Sequence, residues 1–139
     1  MSIYFHTENT GFIYKGKNLT RKWIRNTIQT ESCKEGNINI IFTNNTTIQK
    51  INQTYLSRDY FTDVIAFNFN EGDLIHGDIY IGVETVKTNA QKFSTDFCQE
   101  LKRVIIHGVL HLIGYNDKTT AEKNTMRKKE AHYLALFKS

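Results

Sequence analysis

The chain has 139 residues, 40% hydrophobic and 23% charged, enough for one core and too few for two, which predicts a single domain over residues 1–139. No stretch approaches the ~18 consecutive apolar residues of a membrane span, and the longest nearly apolar run, 104–115, is interrupted by His107 and His111. Eighteen Lys and Arg against fourteen Asp and Glu leave a net charge of +4, a balance that favours a polyanionic partner.

Residues 2–7 alternate around Ile3 and Phe5 and predict a short strand, with residues 11–14 as a second piece beside it. From Asn18, an N-cap residue, Leu19, Trp23, Ile24, Thr27 and Ile28 recur at helical spacing, and Gly36 offers the stop. Ile38, Ile40 and Phe42 share one face of a strand ending at Asn44 and Asn45, after which Thr46 or Thr47 caps a helix carrying Ile48, Ile51 and Tyr55. The apolar run 64–67 and the segment 75–82 flank a turn at Glu71, Gly72 and Asp73, so they are expected to pair as antiparallel neighbours. A helix over 84–93 follows. Asp96 then caps a longer one whose apolar set, Phe97, Leu101, Val104, Ile105, Val109 and Leu112, keeps a 3.6 period up to Gly114. Thr119 with Glu122 forms a capping box opening a basic last helix through Met126, Tyr133, Leu134 and Phe137. The expected fold is α+β, an α/β sandwich with a small mixed sheet of about four strands. Cys33 and Cys98 form no CxxC pair and are expected as small buried hydrophobes in a reducing compartment. With no basic, then apolar, segment in residues 1–10, this predicts a cytoplasmic protein.

The chemistry concentrates near residue 110. His107 and His111 lie four residues apart on one helix, so their rings leave the same face and converge on one ion. A third ligand requires the chain to turn back, and Gly114 stands where a left-handed cap would release it, three residues before Asp117. His107, His111 and Asp117 thus make a candidate site for one zinc ion with a fourth position free for water, the pattern of a catalytic site. This spacing resembles the zincin-like helix of metzincin proteases, but the glutamate that follows the first histidine there is Gly108 here. With no base at that position, peptide hydrolysis is disfavoured and a phosphodiester is the better candidate substrate. His6, His76 and His132 lack such company and read as surface or local hydrogen-bonding residues.

His107, Gly108, Leu110, His111, Leu112, Gly114 and Tyr115 together resemble the signature of the YbeY family of metal-dependent, ribosome-associated endoribonucleases. Upstream, Asn52, Tyr55, Asp59, Thr62, Asp63, Val64 and Phe67 resemble its central block, and Gly77, Asp78 and Ile79 its Gly-Asp-Ile element. The resemblance covers most of residues 48–130 and little of the first 35. It implies a hydrolase that cuts single-stranded RNA in rRNA maturation and ribosome quality control, with the ribosome or its small subunit as partner. Two positions depart from the pattern. The third ligand is usually histidine, and Asp117 takes its place with a charge that would weaken the ion as a Lewis acid and slow hydrolysis. The arginine expected after the tyrosine of the central block is Leu56, and Arg58, two residues on, is the candidate to face the substrate phosphate in a catalytic or RNA-binding role.

Lys118, Lys123 and Arg127, with Lys128 and Lys129, crowd the chain after the ligands and are candidate RNA contacts. The early cluster around Lys15, Arg21 and Arg25 reads as solvated surface, and Glu122 and Glu130 are the acidic residues interspersed on the last helix. Tyr60, Phe61 and Tyr115 are candidate stacking platforms for unpaired bases. Two other functions stay open: a ribosome-assembly factor whose metal is mainly structural, and a metalloprotease. Nothing in the sequence requires an oligomer.

Overall fold

Over residues 2–56 and 62–137, those described here, the computed structural model runs β1 (Ile3–Thr7), α1 (Lys17–Thr30), β2 (Lys34–Thr43), α2 (Asn45–Leu56), β3 (Val64–Asn68), β4 (Leu74–Gly82), α3 (Val83–Lys92), α4 (Phe97–Ile113) and α5 (Thr120–Ala135). The sheet order is β1-β2-β4-β3. The first three strands are parallel and β3 returns antiparallel to β4, giving the expected α+β fold with its mixed sheet of four strands and its hairpin.

The alternation of each strand decides what covers it. Register aligns Ile3 with Ile38 and Gly77, Phe5 with Ile40 and Ile79, and Phe42 with Ile81, while Val64 and Ala66 pair with Ile81 and Ile79. This apolar face receives α1 over β2 and α4 over β3 and β4, with α5 packed outside α4. On the opposite face Ile41 and Ile65 are buried along with Ile48 of α2, which lies against β3 and β4. Helix α4 packs directly on the sheet at two positions that have no side chain. A Cβ on Gly77 would stand 2.5 Å from the Phe67 carbonyl and 2.6 Å from Leu112 Cδ2, and one on Gly108 would stand 2.7 Å from Ile79 Cγ2.

Several local expectations change. Residues 11–14 form no strand; Phe12 and Tyr14 instead pack their rings against Phe42, edge-on and tilted, each 5.2 Å away, covering the end of the sheet without a ladder. Helix α1 starts after Gly16 in a left-handed conformation (φ 81°), and Asn18 lies inside it, accepting a hydrogen bond from Arg21. The cap of α2 is Asn44, whose Oδ1 accepts from the Thr47 amide at 2.9 Å. Cys98 is exposed on the first turn of α4, while Cys33 is half-buried against the core. The early basic cluster serves the fold in part, since Arg21 Nε donates to the Ile3 carbonyl and Arg25 pairs with Glu35 at 2.6 Å.

Candidate metal centre

Helix α4 is the frame of the site. Asp96 caps it as expected, its Oδ1 accepting from the Gln99 amide at 2.7 Å. Most of its surface is buried, against the sheet, α1, α3 and α5. One stripe is polar: Glu100, Arg103, His107 and His111 follow at steps of three and four residues and so share one face. Of these, Arg103, His107 and His111 line a cleft of about 830 Å³, whose walls also include Thr62–Ala66 at the start of β3, Asn52 of α2, and Asn116, Asp117, Lys118 and Lys123.

At the end of α4 the chain reverses through Gly114 (φ 126°), with the Gly114 and Tyr115 amides donating to the Leu110 carbonyl at 3.1 and 3.0 Å. Asn70 Nδ2 donates to the Leu112 carbonyl at 2.6 Å and ties this turn to the hairpin. The reversal returns Asp117 to the two histidines. His107 Nε2 and His111 Nε2 are 3.0 Å apart, and Asp117 Oδ2 is 3.4 Å from each. Ligand atoms at zinc distances on a tetrahedron are separated by about 3.3 Å, so the three edges fit one small cation. Among the described residues, this is the group of three or more His, Cys, Asp or Glu side chains able to hold a metal ion.

The two histidine rings are oriented and tuned by their surroundings. His107 Nδ1 lies 2.6 Å from Glu130 Oε2; a carboxylate only accepts, so Nδ1 carries the proton and Nε2 presents its lone pair to the cleft. Burial and the adjacent His107 ring hold His111 below the usual imidazole range, against the pull of Asp117 and a hydrogen bond with the Tyr115 backbone. Glu130 is buried, with its other oxygen 3.3 Å from Arg103 Nη1. Arg103 also pairs with Glu100 at 2.7 Å and Asp63 at 3.4 Å; its hydrogen bonds to Glu100 raise its pKa further. Glu130, one of the two acids interspersed among the basic residues of the last helix, is thus a buried partner of His107 and Arg103. Its signal was available, because Glu130 falls between Met126 and Tyr133, the buried stripe of α5.

The other sequence candidates divide. Lys118 and Lys123 line the cleft. Arg127 is exposed one turn beyond Lys123 on α5, outside the cleft lining. Arg58, like Tyr60 and Phe61, lies outside the described residues. Tyr115 turns away from the cleft, its hydroxyl donating to Glu31 Oε1 at 2.5 Å, so it is a packing residue in place of a stacking platform. His6 and His76 make local bonds, to Asn39 Oδ1 and from the Asn37 amide, each at 2.9 Å. No helix among the described residues is long and apolar enough to cross a membrane.

A small α+β protein whose buried helix presents His-x-x-x-His and a returning carboxylate at the floor of a polar cleft belongs to the class of metal-site hydrolases. Within that class the chain belongs to the Endoribonuclease YbeY family, whose model matches residues 4–138 and so reaches well into the N-terminal segment where the sequence alone carried little resemblance. It is 50% identical over 115 residues to the endoribonuclease YbeY of Flavobacterium psychrophilum, covering 83% of this chain and 82% of that one. To that of Christiangramia forsetii it is 44% identical over 135 residues, covering 97% and 94%. The solution structure of TM1509 from Thermotoga maritima superposes with a TM-score of 0.67 at 29% identity, over 96% of this chain and 87% of that one.

Proposed function

We propose that this protein is a zinc-dependent endoribonuclease that hydrolyses single-stranded RNA in rRNA maturation, acting in the cytoplasm on the ribosome or its small subunit. The observation that carries the reading is the triangle of ligand atoms His107 Nε2, His111 Nε2 and Asp117 Oδ2 at the floor of an open polar cleft. His107, His111 and Asp117 would hold the zinc ion, which would supply Lewis-acid chemistry toward the phosphodiester. The chain's own residues do the rest. Glu130 keeps the His107 proton on Nδ1 and fixes the ring plane. Lys118 and Lys123 draw the RNA backbone into the cleft, and Arg127, one turn beyond Lys123 on the same helix face, extends that strip outward. Arg103 is held by three carboxylates and is a structural cation, which leaves the role of steadying the developing phosphoryl charge to Arg58.

Gly108 argues against peptide hydrolysis on steric grounds as well. A side chain there would run into Ile79 and come within 3.4 Å of Val64 Cγ2, so this position has no room for a base. The test is metal content and RNA cleavage on the same preparation. About one equivalent of zinc per chain is expected, lost together with cleavage in Asp117→Ala and largely kept in Asp117→His, with His111→Ala as the inactive control. A wild-type chain that purifies without metal and binds none on titration refutes the reading. Equal cleavage by His111→Ala assigns the activity to a contaminant and the chain to an assembly role.

A further inference from the structure

Asp117 sits in the short connection between α4 and α5, a place where backbone is ordinarily loose, yet a metal ligand must be held to a fraction of an ångström. A carboxylate far away in sequence is bonded to this same connection. Glu31 is the C-cap of α1, its amide bonded to the Thr27 carbonyl at 3.1 Å and the chain locked behind it by Ser32 in the left-handed region (φ 61°). From this fixed point its carboxylate reaches across the molecule. Glu31 Oε1 accepts from the Tyr115 hydroxyl at 2.5 Å, two residues before Asp117. Glu31 Oε2 accepts from the Tyr133 hydroxyl and from Lys129 Nζ at 3.1 Å, and these residues flank Glu130 on α5. Lys129 Nζ also lies 5.5 Å over the Tyr115 ring, and Trp23 Nε1 donates to the Tyr133 carbonyl at 2.7 Å, so α1 grips α5 twice.

We propose that Glu31, although it touches no ligand, is a positioning residue of the metal centre. It anchors on α1 both the loop that delivers Asp117 and the helix that delivers Glu130 to His107. Both elements meet at this one carboxylate, and each leads to the centre by a short, covalent path. The inference rests on the metal reading above.

The experiment is competition for cobalt(II) against a chromophoric chelator, with the cobalt ligand-field spectrum recorded in parallel. Wild type, Glu31→Ala, Tyr115→Phe and Tyr133→Phe are compared at a temperature where circular dichroism shows each folded. Glu31→Ala is expected to weaken cobalt binding severalfold, short of the about 10- to 100-fold loss typical of groups bonded directly to a metal ligand, and to alter the visible band. Tyr115→Phe, which frees only the ligand loop, should reproduce much of that loss and decides the matter if Glu31→Ala does not fold. Tyr133→Phe should lose stability with a smaller change in affinity. Wild-type affinity and spectrum in folded Glu31→Ala, or in Tyr115→Phe, overturns the proposal, because a merely structural hub would lower stability and leave the centre intact. A wild-type chain that binds no cobalt overturns the metal reading itself.

Discussion

Replacing Glu130 by alanine separates two jobs that one carboxylate performs, and the structure sets the size of each. Toward His107, Glu130 supplies a 2.6 Å acceptor that orients the ring; its loss is expected to weaken metal binding about 10- to 100-fold. Toward the fold, it is one of three carboxylates on Arg103. Stripping a buried cation of its sole partner costs about 3–5 kcal/mol, but Arg103 keeps Glu100 at 2.7 Å and Asp63 at 3.4 Å and is about one-third exposed. The remaining cost is the lost charge-assisted bond to His107, about 1.5–3 kcal/mol. Metal-free protein should therefore lose about 2 kcal/mol and still fold. Chemical denaturation in chelator and again in zinc reads both effects. At a zinc concentration a hundred times the wild-type Kd, wild type gains about 2.7 kcal/mol, whereas a 10- to 100-fold weaker variant gains only about 1.4 to 0.4 kcal/mol. Equal zinc increments in the two chains would refute the claim that Glu130 serves the ligand, and a variant that is unfolded in chelator would refute the distribution of Arg103 over three partners.

Three further outcomes follow from particular contacts. Gly77→Ala should be more destabilising than Gly108→Ala in urea unfolding, because the new methyl meets the Phe67 backbone carbonyl at 2.5 Å in the first case and the Ile79 side chain at 2.7 Å in the second; overpacking of the latter kind costs about 1–3 kcal/mol. Burial pushes the Glu31 carboxyl up, but hydrogen bonds from Tyr115, Tyr133 and Lys129 outweigh it and hold the group below its ordinary value of 4.5. Its stabilisation is therefore complete above pH 4.5 and lost as pH falls through the folded value, so acid titration of the Glu31→Gln variant by circular dichroism should show a shallower decline below that point, and parallel curves would contradict the assignment. Lys118→Ala and Lys123→Ala should each lower the slope of log K against log salt for single-stranded RNA by about 0.7, with a smaller change for Arg127→Ala outside the cleft, as read by fluorescence anisotropy.

The elements that the sequence revealed are those whose signals are local. The Asp96 cap, the Thr119–Glu122 capping box and the left-handed Gly114 each lie within a few residues of the backbone they satisfy, and all three stand in the structure as expected. Proximity of the candidate ligands was local too, since His107 and His111 are one turn apart and a single reversal brings Asp117 within 3.4 Å of both. Local signals failed where a nearby competitor existed. Asn18 and Thr46 or Thr47 are good caps by residue type, but the chain enters the helices earlier, at Gly16 and Asn44. Phe12 and Tyr14 carry strand propensity, but their rings are used instead to cover Phe42, which is fully buried.

What remained hidden is what joins distant segments. Glu130 reads as a surface acid because charge is weighed against its neighbours in sequence, Lys128 and Lys129, whereas its energy is set by His107 and Arg103 on another helix. The informative pattern was periodicity: an acid in register with Met126 and Tyr133, and a polar row of Glu100, Arg103, His107 and His111 on an otherwise apolar helix. A charge placed in a buried stripe is costly unless a partner of opposite sign or a hydrogen-bond donor faces it. Two such stripes on consecutive helices therefore imply that the helices pack with those faces together, and that what lies between them is a site. The same argument does not reach Glu31, because the C-cap of a helix carries no periodicity against which an acid stands out. Only the fold, by bringing Tyr115, Lys129 and Tyr133 to that one carboxylate, gives it a role.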